Sequence, residues 1–120
     1  MAATIATEVN QAALNGITAL IADIRFDTSA DAELAVLPLS WGSASNAAPS
    51  VATATATADT TVTDGTIAKF LMRTGGGATR INGSVGTSGA DLVVTDNVIP
   101  SGATQVTSAG GISLSLAITG

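Results

Sequence analysis

Between Val51 and Ala58 the chain reads Val-Ala-Thr-Ala-Thr-Ala-Thr-Ala. Side chains of a β-strand alternate between its two faces. Extended backbone therefore puts Val51, Thr53, Thr55 and Thr57 on one side and Ala52, Ala54, Ala56 and Ala58 on the other. Wound as a helix, the same residues scatter Ala and Thr around every side and leave no stripe. β-Branched Thr also favours extended backbone. The segment reads as a strand with a hydroxyl face and a methyl face, and the methyl face lets another layer approach closely.

The two-residue period returns along the chain. Ala22–Phe26 turns extended, with Ile24 and Phe26 on one face. Glu33–Trp41 places Ala35, Leu37, Leu39 and Trp41 together, and Pro38, which has no amide donor, points to an edge strand or a bulge. Thr66–Arg73 turns Ala68, Phe70 and Met72 inward and Lys69, Leu71 and Arg73 outward. Ala103–Ser108 and Gly111–Thr119 read as the last strands, the second alternating Ile112, Leu114, Leu116 and Ile118. Turn residues separate these runs: Asp27–Asp31, the small-residue loop Gly42–Ser50, Asp64-Gly65, Gly75-Gly76-Gly77 and Ile99–Gly102. Arg80–Val94 reads as strand, glycine-spaced turn and strand, a hairpin-like corner. Ile81, Gly83 and Val85 share one face of it, Leu92 and Val94 another, and Gly86 and Gly89 are free to take positive φ.

The N-terminal segment has a different period. From Thr4 to Ala22, Ile5, Val9, Ala13, Ile17 and Leu20/Ile21 recur every third or fourth residue, the stripe of an amphipathic helix. Thr4 or Thr7 suits its cap and Glu8 its first turn. Gly16 weakens it by roughly 1 kcal/mol relative to Ala, which points to close approach by a sheet or a partner. About eight short strands with turns between them, plus this helix, predict a mainly-β fold. The form is a β-sandwich or jelly-roll-like barrel, with one domain over residues 1–120: the helix in 1–22 and the β part in 23–120.

Composition narrows the function. The chain has no Cys, which removes disulfides and thiolate metal sites, and no His, which removes the commonest general base. Nine acids against four bases give a net charge of -5, the wrong sign for nucleic acid. Charged residues are 11% of the chain, against about 25% in an average soluble domain. Weakly charged faces of this kind suit a subunit covered by other chains, the alternative being a Thr/Ser-rich secreted or bacterial protein. Met1-Ala2-Ala3-Thr4 lacks the basic start of a signal peptide, and the uncharged run from Leu34 to Ala58 is broken by Pro38 and Pro49, unlike a membrane span.

No residue pattern asks for catalysis or a cofactor. Asp23, Asp27, Asp31 and Glu33 lie close in sequence, but their spacing is not that of a calcium loop, and they read as solvated turn acids. The glycine-rich turns lack the Lys and hydroxyl of a phosphate cradle. A Ser or Thr nucleophile needs a base, and Lys69, the one amine available, points outward. Asn82-Gly83-Ser84 fits a glycosylation sequon without a secretory signal beside it. Trp41 either closes a core or anchors an interface.

The run Thr66-Ile67-Ala68-Lys69-Phe70-Leu71-Met72-Arg73, the glycine tip after it, and Asn82-Gly83-Ser84-Val85-Gly86-Thr87-Ser88-Gly89-Ala90-Asp91-Leu92 together resemble a family of small tailed-bacteriophage virion proteins. The likeness runs from Val51 to Thr119 and more loosely over the helix. It departs between Phe26 and Pro49, where this chain is shorter and lacks a clear glycine-rich turn. The resemblance implies a capsid decoration (cement) protein on the outer surface of the virion head. Its partners would be the major capsid protein and copies of itself, as dimer or trimer, with no membrane, nucleic acid or cofactor involved. It also implies that the helix stripe Ile5, Val9, Ile17 and Ile21 contacts a neighbour. A tail or fibre component, and a carbohydrate-binding β-module, are the alternatives; the second sits badly with so few aromatics.

Overall fold

The computed structural model describes residues 5–103 and 112–116. In chain order it contains α1 (Thr7–Thr18), β1 (Asp23–Asp27), β2 (Glu33–Trp41), β3 (Ser50–Ala56), β4 (Gly65–Thr66), β5 (Lys69–Arg73), β6 (Thr79–Gly86), β7 (Leu92–Val93), β8 (Val98–Ile99) and β9 (Ile112–Leu116). Seven strands form one mixed sheet in the order β7-β6-β5-β1-β2-β3-β9, curled into a half-barrel, and β4 and β8 pair as a separate ribbon. The chain thus adopts the expected mainly-β fold with an N-terminal helix, in a barrel-like form. Of the strand expected over Ala103–Ser108, only Ala103 is among the described residues.

The inner face of the sheet is built in rows across neighbouring strands. Leu37, Ile24, Met72 and Ile81 are successive partners from β2 to β6, and so are Ala35, Phe26, Phe70 and Gly83. The second row runs small, large, large, small. Phe70 needs the last place empty: a Cβ on Gly83 would stand 2.7 Å from the Phe70 ring. A glycine facing an aromatic partner lets the ring fill the space a side chain would take. Ile24, Phe26, Leu37, Phe70 and Met72 are all buried there, with Ile67 and Ile99 closing over them.

β2 changes partner along its length. Its first part pairs with β1, and Leu39, Ser40 and Trp41 pair with β3. On the side away from β1, an irregular segment stands in for a strand. Thr63 N–H donates to Leu34 C=O at 2.9 Å, and Thr57 N–H donates to Pro38 C=O at 2.9 Å. Between them, Val36 N–H donates to the Asp59 carboxylate at 2.7 Å. The missing amide hydrogen of Pro38 faces this irregular side, where no ladder bond requires it. Burial pushes the Asp59 pKa up, but hydrogen bonds from Val36 N–H, Thr61 N–H and the Thr61 hydroxyl outweigh it. The carboxyl is held below its ordinary 3.8.

The corner after β6 differs from the expected hairpin. The chain loops through Thr87–Asp91 and returns with β7 parallel to β6, Val85 opposite Leu92 and Gly86 opposite Val93. Asp91 decides the path. Its carboxylate accepts from Ser84 N–H at 3.0 Å and from the Ser84 hydroxyl at 3.2 Å, while its own N–H donates to Ser84 Oγ at 3.0 Å. Of the two glycines expected to take positive φ, Gly89 does so at 66° and Gly86 does not.

Candidate functional site

The helix is the element from which a contact surface was expected, and its orientation decides which residues are open. α1 lies on β3 and β9. Ala52 and Ala54, the methyl face of the alternating segment, are buried, and Leu14 packs with Ala52 and Ala44. That close approach is what small side chains on a strand allow. The buried positions of the helix are Asn10, Leu14 and Thr18, four residues apart. A second row, also spaced by four, stitches the helix to the loop 42–49. The Thr7 hydroxyl bonds Asn46 Oδ1. Gln11 Nε2 donates to Ala44 C=O at 2.9 Å, and Ala44 N–H donates to Asn15 Oδ1 at 2.9 Å.

These polar bonds rotate the helix away from the orientation its apolar stripe predicts. Val9 is 45% exposed, and Leu20, just past the helix, is 57% exposed. Ile5 is half-buried. Ile17 is half-buried and bridges the two parts of the core, and Ile21 is buried in the larger one. Trp41 is half-buried, and its Nε1–H donates to Ile21 C=O at 3.1 Å, tying the end of the helix segment to the sheet. The five residues singled out from the sequence are therefore not one patch. Val9 faces solvent, Ile21 faces the core, and Trp41 sits at the join. Gly16 faces solvent too, and a Cβ there would meet nothing within 4 Å. Among the described residues, neither the sheet nor any other segment makes the close approach its glycine suggested.

The outer face of the sheet has two characters. Over β2, β3 and β9 it is an uncharged array. Ser40 opposes Thr55, Thr53 opposes Ser113 and Val51 opposes Ser115, all exposed, with the Thr53 and Ser113 hydroxyls 3.0 Å apart. Over β1 and β5 it is a ladder of ion pairs. Arg73 holds Asp23 through two bonds of 2.8 and 3.1 Å. Arg25 lies 2.6 Å from Asp27 and 3.6 Å from Glu33, and Lys69 lies 2.6 Å from Asp31. The hydrogen bonding that Arg73 donates to Asp23 is the main cause of its pKa above the ordinary value; burial opposes it, and charge attraction from Asp23, Glu33 and Asp27 adds to it. The four acids expected as solvated turn acids are thus each matched to a cation.

The polar row Thr7, Gln11 and Asn15 and the acid–base matching both escaped the reading of the sequence. The first was legible in part, since polar residues four apart mark a helix face as surely as apolar ones do. The second depends on partners far apart in the chain. Among the described residues, no three of His, Cys, Asp and Glu come together as metal ligands, and no helix is long and apolar enough to cross a membrane. Comparison of the chain with protein-family models, with curated proteins and with solved structures finds no match.

Proposed function

We propose that this chain is a structural, non-catalytic virion component: a decoration protein that lies on the outer surface of a tailed-bacteriophage head, binds the major capsid protein and stiffens the shell. One observation carries the reading. The hydroxyl face of β2, β3 and β9 is exposed and bears no charge, and the exposed side of α1 carries one charge, Glu8. Covering a charged face strips ions of water and costs several kcal/mol per ion, whereas hydroxyls keep hydrogen-bonding to whatever covers them. Neutral faces are the ones a neighbouring protein covers at low cost. The segments 66–73 and 82–92, which resemble phage virion proteins, support the same reading, and the net charge of -5 sets it apart from a nucleic-acid binder.

A shell with many equivalent sites suits modest contacts of this kind, because neighbouring contacts raise the effective concentration of each. The test is to add the purified chain to emptied heads and to follow sedimentation of the bound protein and heat disruption of the shell. The expected result is saturable binding and a higher disruption temperature. Heads that sediment without the protein would overturn the reading, and labelling of tails in micrographs would move the chain to the tail or fibre.

A further inference from the structure

We propose that Asn82 is a deamidation site, held closed by the folded sheet and opened when β6 parts from β5. The sequence supplies the reactants. Asn-Gly occurs twice in the chain, at Asn15-Gly16 and at Asn82-Gly83. In such a pair the backbone nitrogen of Gly attacks the side-chain carbonyl carbon of Asn, because no Cβ on the Gly stands in its way. A bond forms between Gly N and Asn Cγ, and the Cγ–Nδ2 bond breaks. The amide nitrogen leaves as ammonia, with the proton of the Gly N–H. Water then opens the cyclic imide at either carbonyl. One opening gives aspartate. The other gives isoaspartate, whose main chain runs through the side chain and is longer by a carbon.

At Asn82 the fold blocks the first step. Val85 N–H donates to Ala68 C=O at 2.9 Å. Hydrogen-bonded pairs recur at every second residue of an antiparallel ladder, so Gly83 N–H turns to Phe70, its partner in β5. The attacking nitrogen is therefore engaged in the sheet. Ring closure also requires Asn82 to leave the extended backbone of β6. Just beyond the pair, the Asp91 carboxylate holds Ser84 N–H at 3.0 Å and the Ser84 hydroxyl at 3.2 Å. Gly83 then sorts the products. A Cβ at this position would stand 2.7 Å from the Phe70 ring, so glycine alone fits opposite it. Aspartate at position 82 leaves the backbone unchanged, and the sheet re-forms. Isoaspartate lengthens β6 ahead of Gly83 and carries Gly83 and Ser84 out of register with Phe70 and Asp91. A passing separation of β5 and β6 thereby becomes a permanent loss. Asn15-Gly16 is the internal comparison. It lies in the last turn of α1, and unwinding that turn frees Gly16 N–H without parting any strand. Element ends open at lower free energy than core strands. The folded chain therefore loses Asn15 before Asn82, although the two pairs are alike as sequence.

The experiment is incubation of the full chain in mildly alkaline buffer, with and without urea. Peptide mapping then measures aspartate and isoaspartate at positions 15 and 82. In urea the two pairs are expected to react at similar rates. In buffer alone both slow, and Asn82 is expected to fall behind Asn15 by about tenfold or more. Asp91→Ala, checked for a native circular-dichroism spectrum, is expected to speed the reaction at Asn82 in buffer and to leave Asn15 unchanged. After refolding from urea, isoaspartate at position 82 is expected in the aggregated fraction and aspartate at position 82 in the folded one. Asn82 reacting in buffer as fast as in urea, or ahead of Asn15, overturns the proposal. That comparison needs only the native chain, so it holds whether or not the Asp91 variant folds. A folded Asp91→Ala chain with an unchanged rate at Asn82 also overturns it, as does isoaspartate at position 82 in the folded fraction. None of these outcomes bears on shell binding, which stands or falls on the experiment with emptied heads.

Discussion

The β1–β5 face and the β3–β9 face are made from the same extended backbone and joined through β2, yet they handle water in opposite ways. On β1 and β5, Asp23, Arg25, Asp27, Lys69 and Arg73 neutralise one another or their near neighbours. On β3 and β9 the outward positions are Thr, Ser and Val, with no charge to neutralise. The first face is complete in itself and costly to desolvate. The second gains little by staying wet. A chain with few charges has placed most of its cations on one half of the sheet and left the helix-backed half neutral. That asymmetry, more than any single residue, separates the part of the surface suited to solvent from the part suited to a neighbour.

Four substitutions break or sharpen the contrast. The largest effect belongs to the neutral half, which depends on the helix behind it. Leu14 is 1% exposed, wedged against Ala44 and Ala52. Leu14→Ala is expected to lower unfolding free energy by about 3 kcal/mol in urea titration, and a loss under about 1 kcal/mol would mean the helix is a loose cover. Next comes the charged half. Arg73→Met leaves Asp23 without its bidentate partner, and a cost of about 1–2 kcal/mol is expected in the same titration, the pair being only partly buried. The penalty should shrink in molar salt, whereas that of Leu14→Ala should not.

A smaller effect tests the seam at β2. The folded pKa of Asp59 is depressed, so its contribution is fully present above the unfolded value near 3.8 and is lost as pH falls through the lower folded value. The native chain should lose stability from this group on acidification below pH 3.8. Asp59→Asn should lack that part of the pH dependence, measured by thermal melts from pH 5 downward. Thr53→Ala should change stability by less than about 0.5 kcal/mol, since its hydroxyl is exposed and its partner Ser113 turns to water. A large loss there would show the hydroxyl array to be a structural network instead of an open face.

How far these features could be read in advance differs from element to element. Alternation at Val51–Ala58 foretold β3, its buried Ala face and its exposed Thr face, because a strand has only two sides and only one was apolar enough to bury. Phe70 and Met72 were likewise placed inward correctly. The helix was foretold, but its rotation was not. Its apolar stripe and its polar row compete, and the bonds of Thr7, Gln11 and Asn15 to the loop 42–49 settled the contest in a way that hydrophobic spacing cannot register. Val9, expected as a contact residue, therefore faces away from the sheet, while Ile21 from the same stripe goes into the core.

Taken alone, the order of residues determined the strand-rich class, the helix at the start, the faces of β1, β2, β3, β5 and β9 and the lack of His and Cys chemistry, because periodicity and composition are local properties. Tertiary structure decided that Arg73 meets Asp23, that Asp91 folds β7 back parallel to β6, and which side of α1 stays open. Each of those outcomes joins groups that are distant along the chain or in competition for the same partner. Only the assembled sheet brings them within a hydrogen bond of each other and selects among them.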